Sequence, residues 1–125
     1  MPSDNAALVA AYWREHRLSL AGRVERLEAQ EATALGEVTE RISRSPQTAL
    51  SLLDDLLTDE AADLSYLGAG PLEDLLVEHG PLMAEGVAAR CRGSSRWATA
   101  VSAVWLDDSE WASVPSLHPW LPKRR

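Results

Sequence analysis

Apolar residues recur at every third or fourth position over most of this chain, which is the spacing of one face of an α-helix. No segment shows the sustained apolar–polar alternation of a half-buried strand bounded by hairpin turns. The sequence therefore predicts an all-α protein of about seven short helices, with short connections that make neighbouring helices antiparallel. The helices from Pro46 to Trp105 come in consecutive pairs. They loosely resemble a helical repeat, but their periods are too irregular to assign one.

The N-terminal third is expected to form one long imperfect helix or two shorter ones. Ser3 or Asp4 can cap the first helix, and a break is expected near Leu18–Gly22. Ser45-Pro46 is a strong start signal, because proline is well suited to the first position of a helix. The helix that follows is leucine-rich on a wide arc, which predicts a central position in the fold.

The segment from Tyr66 to Pro81 reads as a complete short helix. Gly70-Pro71 is expected to open it and Gly80-Pro81 to close it. Upstream, Thr58 or Asp59 is expected to cap a short helix that ends at Gly68. The apolar face of the Tyr66–Pro81 helix consists of three leucines: Leu72, Leu75 and Leu76.

Two further helices are predicted downstream. Pro81 is expected to open one that ends at Gly93, and Ser94 or Ser95 to cap the next. The inward residues of the first are predicted to be Leu82, Met83, Val87 and Cys91. Those of the second are predicted to be Trp97, Val101, Val104 and Trp105, at helical spacing.

The chain is expected to form a single helical domain over residues 1–114, followed by an irregular Pro-rich tail over residues 115–125. Asp107 or Asp108 can cap a last short helix through Trp111. The tail contains Trp120, and its aromatic side chains are either exposed anchors for a partner or a lid folded back over the core.

The charge balance is acidic, with a net charge of −7 over 125 residues. Residues 1–70 carry twelve acidic and six basic side chains, against seven and six in residues 71–125. This negative charge disfavours binding to nucleic-acid phosphates and favours binding to a basic protein. The alternative is that the acidity serves only solubility. No apolar run has the length of a membrane span, and no signal peptide is apparent, so the expected location is the cytoplasm.

No catalytic, cofactor or metal constellation can be assembled from the sequence, which predicts that the protein is not an enzyme. The single cysteine, Cys91, excludes an internal disulfide and a multi-cysteine metal site. Glu73 is expected at the third helical position, where it can bond back to a Gly70 cap, or else to hold a neighbouring helix through Arg90 or Arg96. His79 is expected in the last turn, where it can bond late carbonyl groups.

The predicted partner-binding residues fall into two groups. One is an acidic cluster beside the leucine-rich helix, which is either a solvated face or a contact for a basic protein. The other is the pair of tryptophans at the C-terminal end. These residues are Asp54, Asp55, Asp59, Glu60 and Asp63 in the cluster, and Trp111 and Trp120 near the C-terminus.

The run L-G-A-G-P-L-E-D-L-L from Leu67 to Leu76, followed by His79-Gly80, resembles a bacterial domain family of unknown function with an AGPLEDLL…HG core. The similarity extends over roughly residues 35–112 and includes Ser45-Pro46 upstream. The segment from Thr33 to Ile42 departs from the family, because it lacks the aromatic residues that are common there. The resemblance implies an all-helical domain. It also implies a structural motif formed by Gly70, Pro71, Leu72, Glu73, Leu75, Leu76, His79 and Gly80.

The resemblance supplies no reaction, ligand or partner, although some small helical bacterial proteins of this type look like accessory or immunity genes. The sequence-based hypothesis is a protein-interaction domain, in its most concrete form an immunity- or antitoxin-type inhibitor of a basic protein. The alternative is an accessory or regulatory helical scaffold that forms a homodimer or binds a small ligand.

Overall fold

In a computed structural model of the chain, residues 5–20 and 33–122 are described. Every regular element in these two ranges is helical, which confirms the predicted all-α class. The predicted caps Ser3 and Asp4 lie outside the described residues, as does the predicted break from residue 21 onward.

The first three helices are α1 (Ala6–Leu20), α2 (Thr33–Arg44) and α3 (Pro46–Thr58), and α1 packs against both of the others. Glu15 is buried in α1 and accepts hydrogen bonds from the backbone amides of Ala34 (3.1 Å) and Leu35 (3.4 Å). A carboxylate at this position satisfies amides that have no partner within α2 and favours the positive end of the helix dipole.

Helix α3 is central, as its leucine pattern predicts. It begins at Pro46 directly after Ser45, which confirms the start signal. The indole Nε1–H of Trp13 donates to the Leu56 carbonyl (3.1 Å) and so ties α1 to α3. The buried face of α3 consists of Pro46, Ala49, Leu52, Leu53, Leu56 and Leu57.

The predicted helix start at Gly70-Pro71 is wrong. A short helix α4 (Leu64–Leu67) continues through a π-helical turn (Gly68–Leu72) into a long helix α5 (Glu73–Gly93). Proline has no N–H, and its ring collides with the preceding turn of an α-helix. The wider turn accommodates Pro71, and the Glu73 amide bonds back to the Gly68 carbonyl, five residues earlier.

The cap of α4 also differs from the prediction. Asp63, and not Thr58 or Asp59, accepts a hydrogen bond from the Tyr66 amide (3.0 Å).

Two helical segments of α5 meet at a kink at Gly80-Pro81, where the sequence predicts one helix to close and the next to open. The backbone departs from helical geometry at His79 (φ −134°, ψ 23°), and the helix then runs on to Gly93, the predicted end. Met83, Val87 and Cys91 are buried at intervals of four residues, as predicted. Leu82 is offset from that line by one residue and is 65% exposed, so its predicted inward position is wrong.

The C-terminal elements are α6 (Ser95–Val101), α7 (Asp108–Ala112) and a 3₁₀ turn (Pro115–Leu117). Ser94 caps α6, and Asp107 caps α7 in a reciprocal capping box with Glu110.

The predicted inward position of Trp105 is wrong, because α6 ends at Val101 and helical spacing no longer applies beyond it. Val104 and Leu106 in the following irregular segment are buried, whereas Trp105 between them is 67% exposed.

Residues beyond 114 return to the core. Leu117 and Leu121 are buried, and the 3₁₀ turn packs against α5. The segment predicted as an irregular tail therefore covers apolar surface as far as residue 122.

Candidate functional site

A shallow groove of about 250 Å³ lies between α1 and the C-terminal end of α3. Its lining combines small apolar residues of α1 with polar residues of α3, namely Ala6, Val9, Asp55, Thr58 and Asp59. We call it the acidic groove. Asp55 accepts a hydrogen bond from the Asn5 side chain (3.1 Å), and Asp59 accepts one from the Ala61 amide (2.8 Å). The structure thus brings two predicted acidic residues to one concave surface.

Asp54 is bound to α5 and α6, although its side chain stays 40% exposed. Its two carboxylate oxygens accept from Nε (2.9 Å) and Nη2 (3.0 Å) of Arg90, and one of them also accepts from the Trp97 indole (2.8 Å). The Arg90 guanidinium lies 5.7 Å from the centre of the Trp97 ring. Because paired hydrogen bonds between arginine and carboxylate are geometrically specific, Asp54 fixes α3 against α5 and α6.

The remaining two residues of the predicted cluster have different surroundings. Asp63 caps α4 through Oδ1, and its Oδ2 accepts from the Nε2–H of His16 (3.2 Å). Glu60 is exposed beyond the end of α3. Of the five acidic residues, Asp54 and Asp63 thus hold helices in place, and the other three lie in or next to the acidic groove.

Sequence analysis did not identify a cluster of aromatic and ionisable residues between α1 and α4. The buried His16 ring lies 4.0 Å from the Tyr66 ring, and Tyr66 lies 6.2 Å from Tyr12. Burial raises the pKa of the Tyr12 hydroxyl well above its usual value, and Tyr66, Asp74 and Asp63 add to this increase. The hydroxyl stays neutral at physiological pH, and the Tyr12 ring packs edge-to-face against Trp13 with 4.9 Å between the ring centres. Helical spacing places Tyr12 and His16 on the apolar face of the first helix, but it does not predict their contact with Tyr66.

Glu73 makes a contact that the sequence did not predict. Its Oε1 accepts a hydrogen bond from the Trp105 backbone amide (2.7 Å) and so holds the segment that follows α6. It neither caps a helix that begins at Gly70 nor pairs with the predicted arginines. Arg90 binds Asp54, and Arg96 donates to the carbonyl groups at the end of α3.

His79 binds a late helix carbonyl, as predicted, but the carbonyl belongs to a different helix. Its Nε2–H donates to the Ser43 carbonyl (3.0 Å) in the last turn of α2. The Ser43 hydroxyl in turn donates to Glu78 (2.6 Å). These two bonds attach the kink of α5 to the end of α2. A Cβ on Gly80 would lie 3.1 Å from a methyl group of Val114, a tight contact that a small movement of Val114 would have to relieve.

The other motif residues also serve the fold. Leu72, Leu75 and Leu76 are fully buried or nearly so. Asp74 is exposed, and three effects raise the pKa of its carboxyl group: partial desolvation, then the charges of Glu78 and Glu73.

Both predicted anchor tryptophans are partly covered. The Trp111 ring stacks on His118 at 4.0 Å and 7°, and the imidazole Nε2–H donates to the Trp111 carbonyl (2.8 Å). Trp120 is half-buried against the core. The exposed tryptophan is Trp105, which the helical pattern had placed inside.

The described part of the chain contains no group of three or more His, Cys, Asp or Glu side chains arranged to hold a metal ion. Burial raises the pKa of the Cys91 thiol to about 11 against a smaller opposing effect of Arg92, so little of the reactive thiolate forms at neutral pH. None of the described helices combines the length and the apolar character that crossing a membrane requires.

A model of a protein family described as a family of unknown function, DUF6869, matches residues 28–118. The chain belongs to DUF6869. The match covers α2 to the 3₁₀ turn and agrees with the predicted family of unknown function, whereas the core motif and a bacterial origin stay predictions. Neither a search of curated proteins nor a search of solved structures found a match.

Proposed function

We propose that this DUF6869 domain acts by non-enzymatic contact with a basic partner protein, and that the acidic groove is the contact site. The observation that carries the proposal is the position of Asp55 and Asp59 on a concave surface whose other wall is apolar. Residues four apart on a helix lie on the same face. Asp59 directly follows the last residue of α3, so both carboxylates border the same side of the groove.

This lining suits a lysine or arginine side chain. The aliphatic part of such a side chain packs favourably against small apolar residues such as Ala6 and Val9, while its charged end stays near carboxylates and water. The exposed Glu60 and the net charge of −7 add long-range attraction, which raises association rates more than it raises affinity.

The most concrete form of the proposal is a cytoplasmic bacterial immunity- or antitoxin-type inhibitor that covers a basic surface of another protein. One observation supports it, the acidity of the N-terminal half; that some small helical bacterial proteins of this type look like immunity genes is an association only. Acidity that serves only solubility remains the competing explanation.

Affinity capture from a lysate of the source organism tests the proposal. The immobilised wild-type protein is compared with Asp55→Lys/Asp59→Lys and with a charge-matched control outside the groove, Glu40→Lys/Glu85→Lys. We expect a basic protein that is retained by the wild type and the control and lost from the groove variant. Equal retention by all three proteins, or a captured protein with no basic surface, would reject the groove as the contact site.

A homodimeric or ligand-binding accessory scaffold is the second candidate, and exposed apolar side chains on α5 favour it. Leu82 is 65% exposed and Val77 is 47% exposed. Sedimentation equilibrium of the wild type and of Leu82→Ser tests the homodimer. A dimer that the substitution dissociates would support it, and a monomer at all concentrations would reject it.

A further inference from the structure

Trp105 is a large aromatic side chain that the fold holds in an exposed position. The adjacent Val104 and Leu106 are 0% and 6% exposed, so the backbone on either side is anchored in the core. The Trp105 amide itself donates to Glu73 on α5. A side chain presented from a fixed backbone loses little conformational freedom when a partner binds, which favours affinity.

The sequence on either side of Glu73 and Trp105 is rich in acidic residues. The two segments that meet at the contact between Glu73 and Trp105 are residues 73–82 and 102–112, and neither contains a lysine or an arginine. Their acidic residues are Glu73, Asp74, Glu78, Asp107, Asp108 and Glu110. Desolvation raises the pKa of Asp74 most, and the charges of Glu78 and Glu73 add to the increase, so these neighbouring carboxylates repel one another. A positive group placed beside Trp105 would relieve this repulsion.

We propose that Trp105 and Glu73 form a docking site for an arginine or lysine side chain of a partner protein. The face of the indole ring attracts a cation, and the neighbouring carboxylates supply the opposite charge. Tryptophan is also among the residues that most often dominate binding at protein interfaces. This site uses residues different from those of the acidic groove, and its argument does not depend on the groove being functional.

Charge complementarity favours a basic side chain of a partner protein over a second copy of the chain, a nucleic acid or a lipid surface. A second copy of the chain carries the same net charge of −7, and net repulsion between like-charged proteins opposes their association. Nucleic acids and anionic lipid surfaces carry the same sign of charge and are disfavoured for the same reason. A basic protein segment supplies both the cation and the apolar stem that the exposed indole can accept.

The test is an NMR titration of ¹⁵N-labelled protein with the peptide Ac-Gly-Arg-Gly-Arg-Gly-NH₂ and with the same peptide containing citrulline, which is uncharged, in place of arginine. We expect saturable shifts of the Trp105 indole N–H signal and of the Glu73 amide with the arginine peptide. We expect at least about tenfold weaker binding of the citrulline peptide.

Three variants complete the design. Trp105→Leu keeps an apolar side chain without the aromatic face and should weaken binding of the arginine peptide by roughly tenfold. Glu73→Gln keeps an oxygen for the Trp105 amide but removes the charge, and it should weaken binding by roughly threefold. Leu82→Ala, at another exposed apolar position, should bind like the wild type. The spectra of the free variants report whether each one is folded.

Four results would overturn the inference. The first is equal binding of the citrulline peptide, and the second is unchanged binding to folded Trp105→Leu. The third is a set of shifts confined to Asp55 and Asp59, which would support the acidic groove and not this site. The fourth is a shift of the Trp105 signal with protein concentration alone, which would identify a second copy of the chain as the occupant.

Discussion

The π-helical turn contains two glycines that should respond in opposite ways to the same substitution. An added Cβ at Gly68 would overlap the Ala100 carbonyl oxygen and would lie 2.9 Å from the carbonyl carbon and 3.0 Å from the Ala103 Cβ. At Gly70, two residues later, an added Cβ has nothing within 4 Å. Neither substitution meets a left-handed backbone conformation, so the difference between them reports packing alone.

The magnitudes follow from these distances. To accept alanine at position 68, the backbone of α6 has to move by about 1 Å or more. Overpacking of this kind typically costs about 1–3 kcal/mol. Backbone atoms cannot rotate away as a side chain can, so Gly68→Ala should lower the free energy of unfolding by about 3 kcal/mol or more. Gly70→Ala removes an unfavourable glycine from a helix interior without a clash and should be neutral or stabilise by up to about 1 kcal/mol.

Thermal unfolding followed by circular dichroism measures both variants. A change of 1 kcal/mol shifts the midpoint of a domain of this size by roughly 3–5 °C, so the two variants should differ by about 10 °C or more. Equal midpoints would refute the close packing of the π-helical turn against α6. A strongly destabilised Gly70→Ala would refute the assignment of position 70 to open space.

Three further predictions concern the motif and the core. Leu75→Ala and Leu76→Ala should each cost about 2–5 kcal/mol, because both side chains are buried, and unchanged unfolding midpoints would place this face of α5 on the surface. Glu73→Gln should keep the free energy of unfolding within about 1 kcal/mol of the wild type, because the side-chain amide oxygen still accepts a hydrogen bond from the Trp105 amide. A larger loss of stability in urea titration would show that the negative charge itself is needed. Cys91 should react slowly with iodoacetamide at pH 8, since a pKa of about 11 leaves about 0.1% of the thiol as thiolate. The reaction rate should rise with pH and on unfolding. Equal rates in the folded and denatured protein would contradict the buried position of Cys91.

Much of the fold could be predicted from local signals. Ser45-Pro46, Ser94 and Asp107 mark helix starts through residues that act on their own backbone, and their effect needs no distant partner. The burial of Trp13 follows from helical spacing in the same way. Such features depend on a few neighbouring residues, and the sequence contains all of them.

The errors share one physical cause, which is that tertiary contacts override local signals. Gly70-Pro71 is a good start signal, but close packing of Gly68 against α6 and a π-helical turn keep the helix continuous. Trp105 was assigned to a helix face by spacing alone, and that assignment fails because α6 ends at Val101.

The candidate site was predictable only in outline. Acidic residues after α3 are visible in the sequence, but their separate roles are not. Asp54 meets Arg90 and Trp97, which lie 36 and 43 residues away, and its carboxylate oxygens are occupied by these two partners. Asp55 and Asp59 form one wall of the acidic groove only because α1 supplies the other.

The motif that carries the family resemblance has a structural explanation at most of its positions. Glu73 attaches the segment after α6, His79 attaches the end of α2, and Gly80 lies against Val114 near the C-terminal segment. Three separate parts of the chain thus meet on this one stretch of helix. The buried residues of the motif therefore serve the fold.

The central claim is that the acidic groove attracts a basic partner. Its most direct test is the association rate of the captured protein, measured by surface plasmon resonance at two salt concentrations. The wild type is compared with Asp55→Lys/Asp59→Lys and with the control Glu40→Lys/Glu85→Lys. At low salt we expect the groove variant to associate at least about tenfold more slowly than the control, and the difference should shrink as the Debye length falls to about 8 Å at physiological ionic strength. An association rate that is independent of salt and unchanged by the groove reversals would contradict the claim.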